Sequence, residues 1–436
     1  MFLSESLGFN EKGNLTIGGL DTVDLVNEYK TPLYVMDEAL IRKNCRLYLD
    51  SLKKACGEDG GLALYASKAF SCVSVLKIAA EEGMGLDVVS GGELYTAKTA
   101  GFPMDRIYFH GNNKTYDEIE FALTENIGRF VADNLGEIED INEIAGKQGK
   151  IASILLRIKP GVDAHTHDFI MTGQIDSKFG FGIETGEAME AVKKAISCKN
   201  VNLVGIHCHI GSQIFEIEPF VEAAKIMVKL MKDIKDETGI ELSELNLGGG
   251  YGIQYTESDD PIGYGDYIGD IAKTVRELTK EYSLKMPKIL MEPGRSLVAS
   301  AGITLYKIGV VKDIPGVRTY VSVDGGMADN PRYIMYGAPY TAIVANKANQ
   351  KAERKVTIAG KCCESGDLIQ ENTYLANPER GDVLAVFATG AYNYSMSSNY
   401  NRIPKPAVVM IKNGKSRIVV KRQSYEDVIR NDVLED

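Results

Sequence analysis

LALYASKAFSCVSVLKIAAEEGMGLDVVSGGELYTAKTA, residues 62–100, reads as strand, helix, strand, helix. The apolar run at 62–66 is short enough for a buried strand, and 70–82 spaces its apolar side chains as a helix does. Residues 85–89 are strand-like again and 93–100 helical. Working outward, 107–110, 127–132, 151–158, 201–206, 244–247 and 288–291 repeat the strand pattern, each followed by helical or loop sequence. Eight strand–helix units over about 250 residues is the count of a (β/α)8 barrel. A doubly wound open sheet has the same periodicity, and pattern alone does not report closure.

The character changes near residue 300. Short alternating runs at 303–311, 319–323, 355–359, 383–388 and 408–411 give a C-terminal β-rich domain. Asn413–Gly414 lies between two such runs and reads as a type I′ hairpin turn. The expected division is α/β: a barrel over 37–298, a β domain over 299–436, and a segment 1–36 that joins the β domain.

Composition narrows the function. The 436 residues carry 49 basic and 60 acidic side chains, a net charge of -11, which argues against nucleic acid or an anionic membrane as partner. No apolar run is long enough to span a bilayer, and MFLSESLGFNEKGN at the start lacks the pattern of a signal peptide. Seven scattered cysteines, an odd number, fit reduced thiols in a cytoplasm better than a disulfide framework.

Barrel enzymes place their chemistry where the strands end. The first strand here ends in Ser67–Lys68, the second is followed by Ser90–Gly91–Gly92, and the third by His110. Arg157 lies in the fifth. The sixth leads into His207, Cys208, His209 and Ser212; the seventh ends in Gly248, Gly249 and Gly250; the eighth in Glu292, Pro293, Gly294 and Arg295. A pyridoxal 5'-phosphate site needs a lysine amine, close-approaching backbone N–H groups for the phosphate, a carboxylate for the pyridine nitrogen and a flat group on the ring. Lys68, Gly248–Gly250, Glu292 and His209 can fill those roles in that order. Taken singly, each has a duller reading: a surface lysine, a tight turn, a salt bridge between Glu292 and Arg295, a satisfied core histidine. The joint placement at one rim outweighs them. A metal-dependent hydrolase is a competitor, because His165/His167 and His207/His209 are spaced to share a strand face. Five histidines leave few further ligands, so no metal is expected.

These residues also sit in motifs. YASKA (65–69), LDVVSGGEL (86–94), HGNNK (110–114), KFGF (178–181), HCHIGSQI (207–214), LNLGGGYGI (245–253), EPGRS (292–296), CCESGD (362–367) and GAYNYSMSSNYN (390–401) follow one another in the order of the fold-type III pyridoxal-phosphate decarboxylases. The pattern covers nearly the whole chain and resembles the diaminopimelate decarboxylase family. The resemblance implies a barrel that binds pyridoxal 5'-phosphate plus a β-rich domain, working as a homodimer with shared active sites. It implies that Lys68 holds the cofactor and His209 stacks on its ring. Ser212, Gly248, Gly249 and Gly250 would contact the phosphate, with backbone help from Gly294 and Arg295. Glu292 would partner the pyridine nitrogen, Asp87 and Arg157 would support the site, and Tyr392 would reach both cofactor and substrate. Cys363 and Glu364 match a loop that enters the site from the other subunit.

The same resemblance implies decarboxylation of meso-2,6-diaminopimelate to L-lysine and carbon dioxide, the last step of lysine biosynthesis. Cys363, or a group it serves, would return a proton to the reacting carbon; an unperturbed thiol, with a pKa of about 8.5, is mostly protonated at neutral pH. Cys362 reads as an inert buried thiol. The substrate's second amino-acid centre needs a cation for its carboxylate and an anion for its ammonium. Arg295, Arg332 and Tyr336 match the family's carboxylate contacts and Glu364 its ammonium contact. A decarboxylase for ornithine, lysine or carboxynorspermidine remains open, as does a catalytically dead relative that binds partners.

Overall fold

The computed structural model describes residues 3–162 and 177–433. The chain divides into two compact units, one formed by Met1–Lys43, Ile253–Asp260 and Arg295–Asp436, the other by Asn44–Gly252 and Pro261–Gly294. The sequence places its edges at 36/37 and 298/299; the division lies at 43/44 and 294/295, with the excursion 253–260 added.

The second unit is a barrel. Its strands are Gly61–Ala66, Gly85–Val88, Ile107–Phe109, Arg129–Ala132, Ala152–Lys159, Val201–His207, Glu244–Asn246 and Lys288–Met291. Each pairs in parallel with the next. Lys288–Met291 pairs back onto the first strand, Leu290 opposite Leu62, so the sheet closes and the open-sheet alternative falls away. Leu64, Tyr108, Val131, Leu155 and Leu290 form a buried cluster of strand residues. At the starts of the strands, Arg129 pairs with Glu244 at 2.7 Å, and Tyr108 donates to the same carboxylate. The opposite rim, where the strands end, is left for chemistry.

The helices begin where capping chemistry predicts. Ser90, Thr115 and Asn134 each accept the backbone N–H three residues on, which satisfies one of the donors a helix start leaves open. The helix expected from residue 70 starts later, at Val73. A tight turn over Ser67–Ala69 intervenes, tied by the Tyr65 hydroxyl to the carbonyl of Phe70 at 2.8 Å.

The first unit is built on a mixed sheet in the order Leu368–Leu375, Arg354–Ala359, Arg318–Val323, Gly302–Ile314, Leu33–Asp37, Ala407–Lys412, Lys415–Val420. Leu33–Asp37 runs antiparallel to Gly302–Ile314 and parallel to Ala407–Lys412. Leu33, Val35, Ile303, Leu305, Val409 and Ile411 are buried together with Leu15 and Ile17. Asn413 and Gly414 both have positive φ, 52° and 70°, as a type I′ hairpin requires.

Candidate active site

At the barrel rim, Glu292 follows the eighth strand directly and is 7% exposed. Its backbone N–H donates to the carbonyl of Gly248 at 2.8 Å. One carboxylate oxygen, Oε1, accepts from Asn246 Nδ2 at 2.7 Å and lies 2.8 Å from His110 Nε2. The other, Oε2, lies 3.2 Å from His207 Nε2. Burial alone raises this carboxyl, but His110 and His207 more than reverse it and hold it well below the usual range, ionised. Burial pushes the His207 imidazole down to about 4 against the pull of Glu292, so the ring acts as a neutral donor. Asp87, also buried, is raised by desolvation, which His110 partly offsets.

His110, His207 and Glu292 are the one group of possible metal ligands among the described residues, their atoms within 4.8 Å of one another. The Asn246 amide bonded to the same carboxylate cannot ligate through its N–H2, so the set is better described as a carboxylate held by Asn246 and His207 with His110 close beside it. The two members of the His207/His209 pair part company. His207 faces Glu292, while His209 Nδ1 accepts the N–H of Gly249 at 3.3 Å. His165 and His167 lie outside the described residues.

The glycine triplet follows from close packing of backbone. A Cβ on Gly249 would stand 2.2 Å from the carbonyl oxygen of Glu292, and one on Gly250 would stand 2.5 Å from that of Gly211. Gly250 also has φ +119°, a conformation glycine alone adopts readily. Ile214 donates to the carbonyl of Gly250 and Gly252 to that of Ile214, so the half-buried Ser212 and the triplet belong to two loops zipped together. Lys68 sits exposed on the tight turn after the first strand. The Ala66 N–H donates to Pro293 at 3.0 Å, and a Cβ on Gly294 would touch the Ala66 side chain at 3.0 Å. The turn bearing Lys68 is thereby fixed to the segment bearing Glu292. Burial, then the positive charge of Lys68, pushes His209 well below the ordinary histidine value, leaving a flat, uncharged ring. Arg157 lies 3.9 Å from Asp133 and stacks on Phe179 at 4.1 Å.

The β-rich unit holds a second group. Arg295 Nη1 donates to the Tyr255 hydroxyl at 2.7 Å, and Arg332 Nη1 donates to the same oxygen at 3.3 Å and to the Tyr340 hydroxyl at 2.7 Å. Tyr340 in turn donates to Asn393 Oδ1. The Tyr392 ring lies under both guanidiniums, at 4.9 Å from Arg295 and 5.7 Å from Arg332, and Tyr336 lies 6.0 Å from Arg332. Both arginines are 7% exposed. Cys363 and Glu364 stand exposed on a loop, whose shape Asp367 sets by accepting the N–H groups of Met327 and Cys362. Cys362 is buried, which raises its thiol to about 11.

Sequence reasoning did not assign His110, His207, Asn246, Tyr255, Tyr340 or Asn393. His110 and His207 had been placed at strand ends without a role, and Asn246, the last residue of its strand, was within reach of the same rule.

These residues fit pyridoxal phosphate. Glycines stand in a row where no Cβ has room, a buried carboxylate is held ionised, a neutral imidazole is hydrogen-bonded to Gly249, and a lysine follows the first strand. The model of the pyridoxal-dependent decarboxylase pyridoxal binding domain matches residues 39–299. The diaminopimelate decarboxylase of Bacillus methanolicus is 52% identical over 423 residues, 97% of this chain and 98% of that one. The Bacillus subtilis enzyme is 49% identical over 433 residues, 99% of this chain and 98% of its own. Among solved structures, the diaminopimelate decarboxylase of M. jannaschii in complex with L-lysine superposes with a TM-score of 0.91 at 38% identity, covering 100% of this chain and 99% of that one. Barrel, rim and near-full-length identity agree, and the chain belongs to the diaminopimelate decarboxylase family of pyridoxal-dependent decarboxylases.

Proposed function

We propose that this pyridoxal-phosphate enzyme removes one carboxylate of meso-2,6-diaminopimelate, giving L-lysine and carbon dioxide as the last step of lysine biosynthesis. The observation that carries the substrate choice is the pair of buried guanidiniums, Arg295 and Arg332, bonded to one tyrosine oxygen. A diamine-forming decarboxylase needs no cation for the far end of its substrate. Diaminopimelate keeps a carboxylate there, and a guanidinium fork matches it.

Bound pyridoxal phosphate supplies a ring that takes up the electron pair left when carbon dioxide departs. The chain's residues do the rest. Lys68 is the amine that holds the cofactor covalently, and His209 offers its flat neutral face. Ser212, Gly248, Gly249, Gly250, Gly294 and the backbone at Arg295 hold the phosphate. Glu292, kept anionic by the two histidines beside it and the Asn246 amide, keeps the pyridine nitrogen protonated. Arg295, Arg332 and Tyr336 hold the remote carboxylate, Glu364 the remote ammonium, and Tyr392 spans both ligands. Cys363 Sγ returns a proton to the reacting carbon. Both Cys363 and Glu364 are exposed in the single chain, which suits a loop that completes the site of a second copy, so the working unit is read as a homodimer. No described helix is long and apolar enough to cross a membrane, and the free cysteines suit a cytoplasmic location.

Product analysis with meso-diaminopimelate, ornithine and lysine side by side tests the reading. Lysine formed from diaminopimelate is the expected result, and preference for ornithine would overturn the substrate. Borohydride reduction followed by peptide mapping should fix the cofactor to Lys68; a label on another lysine would reassign the attachment.

A further inference from the structure

The segment Ile253–Asp260 leaves the barrel chain to join the β-rich unit. Asp259 builds its turn, accepting the N–H groups of Tyr255 and Thr256 at 2.9 Å each. Thr341 Oγ1 holds the Tyr255 carbonyl at 2.9 Å. The result is a buried phenol whose oxygen accepts one N–H from Arg295 and one from Arg332. Two guanidiniums would otherwise repel at this range, and burial removes the water that would screen them. A hydroxyl oxygen has two lone pairs, and here each meets a different cation. Two donors that share one oxygen are also close enough to share one carboxylate. The electrostatics are mutual: burial raises the Tyr255 hydroxyl, and the charges of Arg295 and Arg332 bring it below the ordinary tyrosine value.

Resting on the functional reading above, we infer that Tyr255 is a positioning residue that gathers Arg295 and Arg332 into a single clamp for the substrate's remote carboxylate, and so helps set specificity. Its role is to hold the arginines, not to touch the reacting atoms. Decarboxylation at one centre leaves the other intact, so the product lysine still presents the carboxylate that the clamp grips. Cadaverine has two amines and no carboxylate.

The test compares these two molecules as inhibitors of the holoenzyme. In Tyr255→Phe, which keeps the ring packed edge-on to Tyr340 at 5.4 Å, lysine should inhibit on the order of tenfold more weakly and KM for meso-diaminopimelate should rise to match. Inhibition by cadaverine and kcat should change less than about threefold. Thr341→Val, which loosens the Tyr255 backbone without altering a ring, should give the same pattern at smaller size. Because Tyr255 acts through the arginines, its loss should have a smaller effect in an Arg332→Ala background, where only Arg295 remains to be positioned, than in the wild type. Equal weakening of lysine and cadaverine, an unchanged lysine constant, or additive effects with Arg332→Ala would each overturn the inference while leaving the decarboxylase reading intact. A wild-type enzyme that turned over no diaminopimelate would remove both.

Discussion

At the scale of single residues, Glu292 shows what a buried charge demands. Its two oxygens are met by Asn246, His110 and His207, which sit at the ends of the seventh, third and sixth strands. This arrangement has a pH signature. The unfolded His207 imidazole takes up a proton near its ordinary value of 6.5, the folded one only near 4. Between those values the unfolded chain binds the proton and the folded chain does not, so stability falls as the pH drops from 6.5 towards 4. At about 1.4 kcal/mol per pKa unit, His207 should account for roughly 2 kcal/mol of loss between about pH 7 and about pH 5. His207→Gln keeps an N–H donor for Glu292 but cannot titrate, so its urea midpoint should fall less over that interval. An equal fall in variant and wild type would assign the acid sensitivity elsewhere. The placement of Lys68, Glu292 and the glycines at strand ends was legible in the sequence, because short apolar runs mark where the strands stop. The partnership of His110 and His207 with Glu292 was not, since which rim residues turn toward one another depends on closure of the barrel. Tyr255 was hidden for a related reason: nothing local in YGIQYTESDD says that the segment leaves one unit for the other.

At the scale of elements, every strand of the barrel was legible to within a few residues, because short apolar runs between polar turns leave little freedom of register. The Asn413–Gly414 hairpin was legible from two residues, since few others accept positive φ twice in succession. The delayed start of the helix at Val73 was not, because the Tyr65–Phe70 hydrogen bond that holds the preceding turn joins two groups the helical pattern ignores. The tightest element is the loop of the glycine triplet, and it yields a prediction. In Gly249→Ala the new methyl meets backbone, 2.2 Å from the carbonyl oxygen of Glu292, and a carbonyl cannot swing aside as a side chain would. Loop and acid must shift together, so absorbance titration of the apoenzyme with pyridoxal phosphate should show at least about tenfold weaker binding. Gly269, in the helix Tyr264–Glu281 with open space around it, is the control. Gly269→Ala should leave cofactor affinity alone and add up to about 1 kcal/mol of stability. Equal affinities in the two variants would mean that the triplet is not the cradle.

At the scale of the whole molecule, the proposed exchange of loops between two copies can be tested by mixing. Lys68→Ala and Cys363→Ala should each be inactive alone. If Cys363 serves the partner's site, random exchange makes half the dimers mixed, each with one intact site, and activity should recover to roughly a quarter of wild type. Proven exchange without recovery would put each site within one chain. Two units were legible from the shift in strand pattern near residue 300, and the first 36 residues were expected to join the β domain; the excursion 253–260 was not legible. The joining of the first residues to the β-rich unit governs how the protein is born. Leu33–Asp37 leaves the ribosome before the barrel, yet its sheet partners Gly302–Ile314 and Ala407–Lys412 are made only after it. At roughly 5–20 residues per second it waits on the order of ten to fifty seconds with both edges bare, while the barrel strands, all between residues 61 and 291, already have one another. During translation, then, the vulnerable part of the nascent chain is the strand Leu33–Asp37, and a chaperone that shields extended apolar segments has its natural target there.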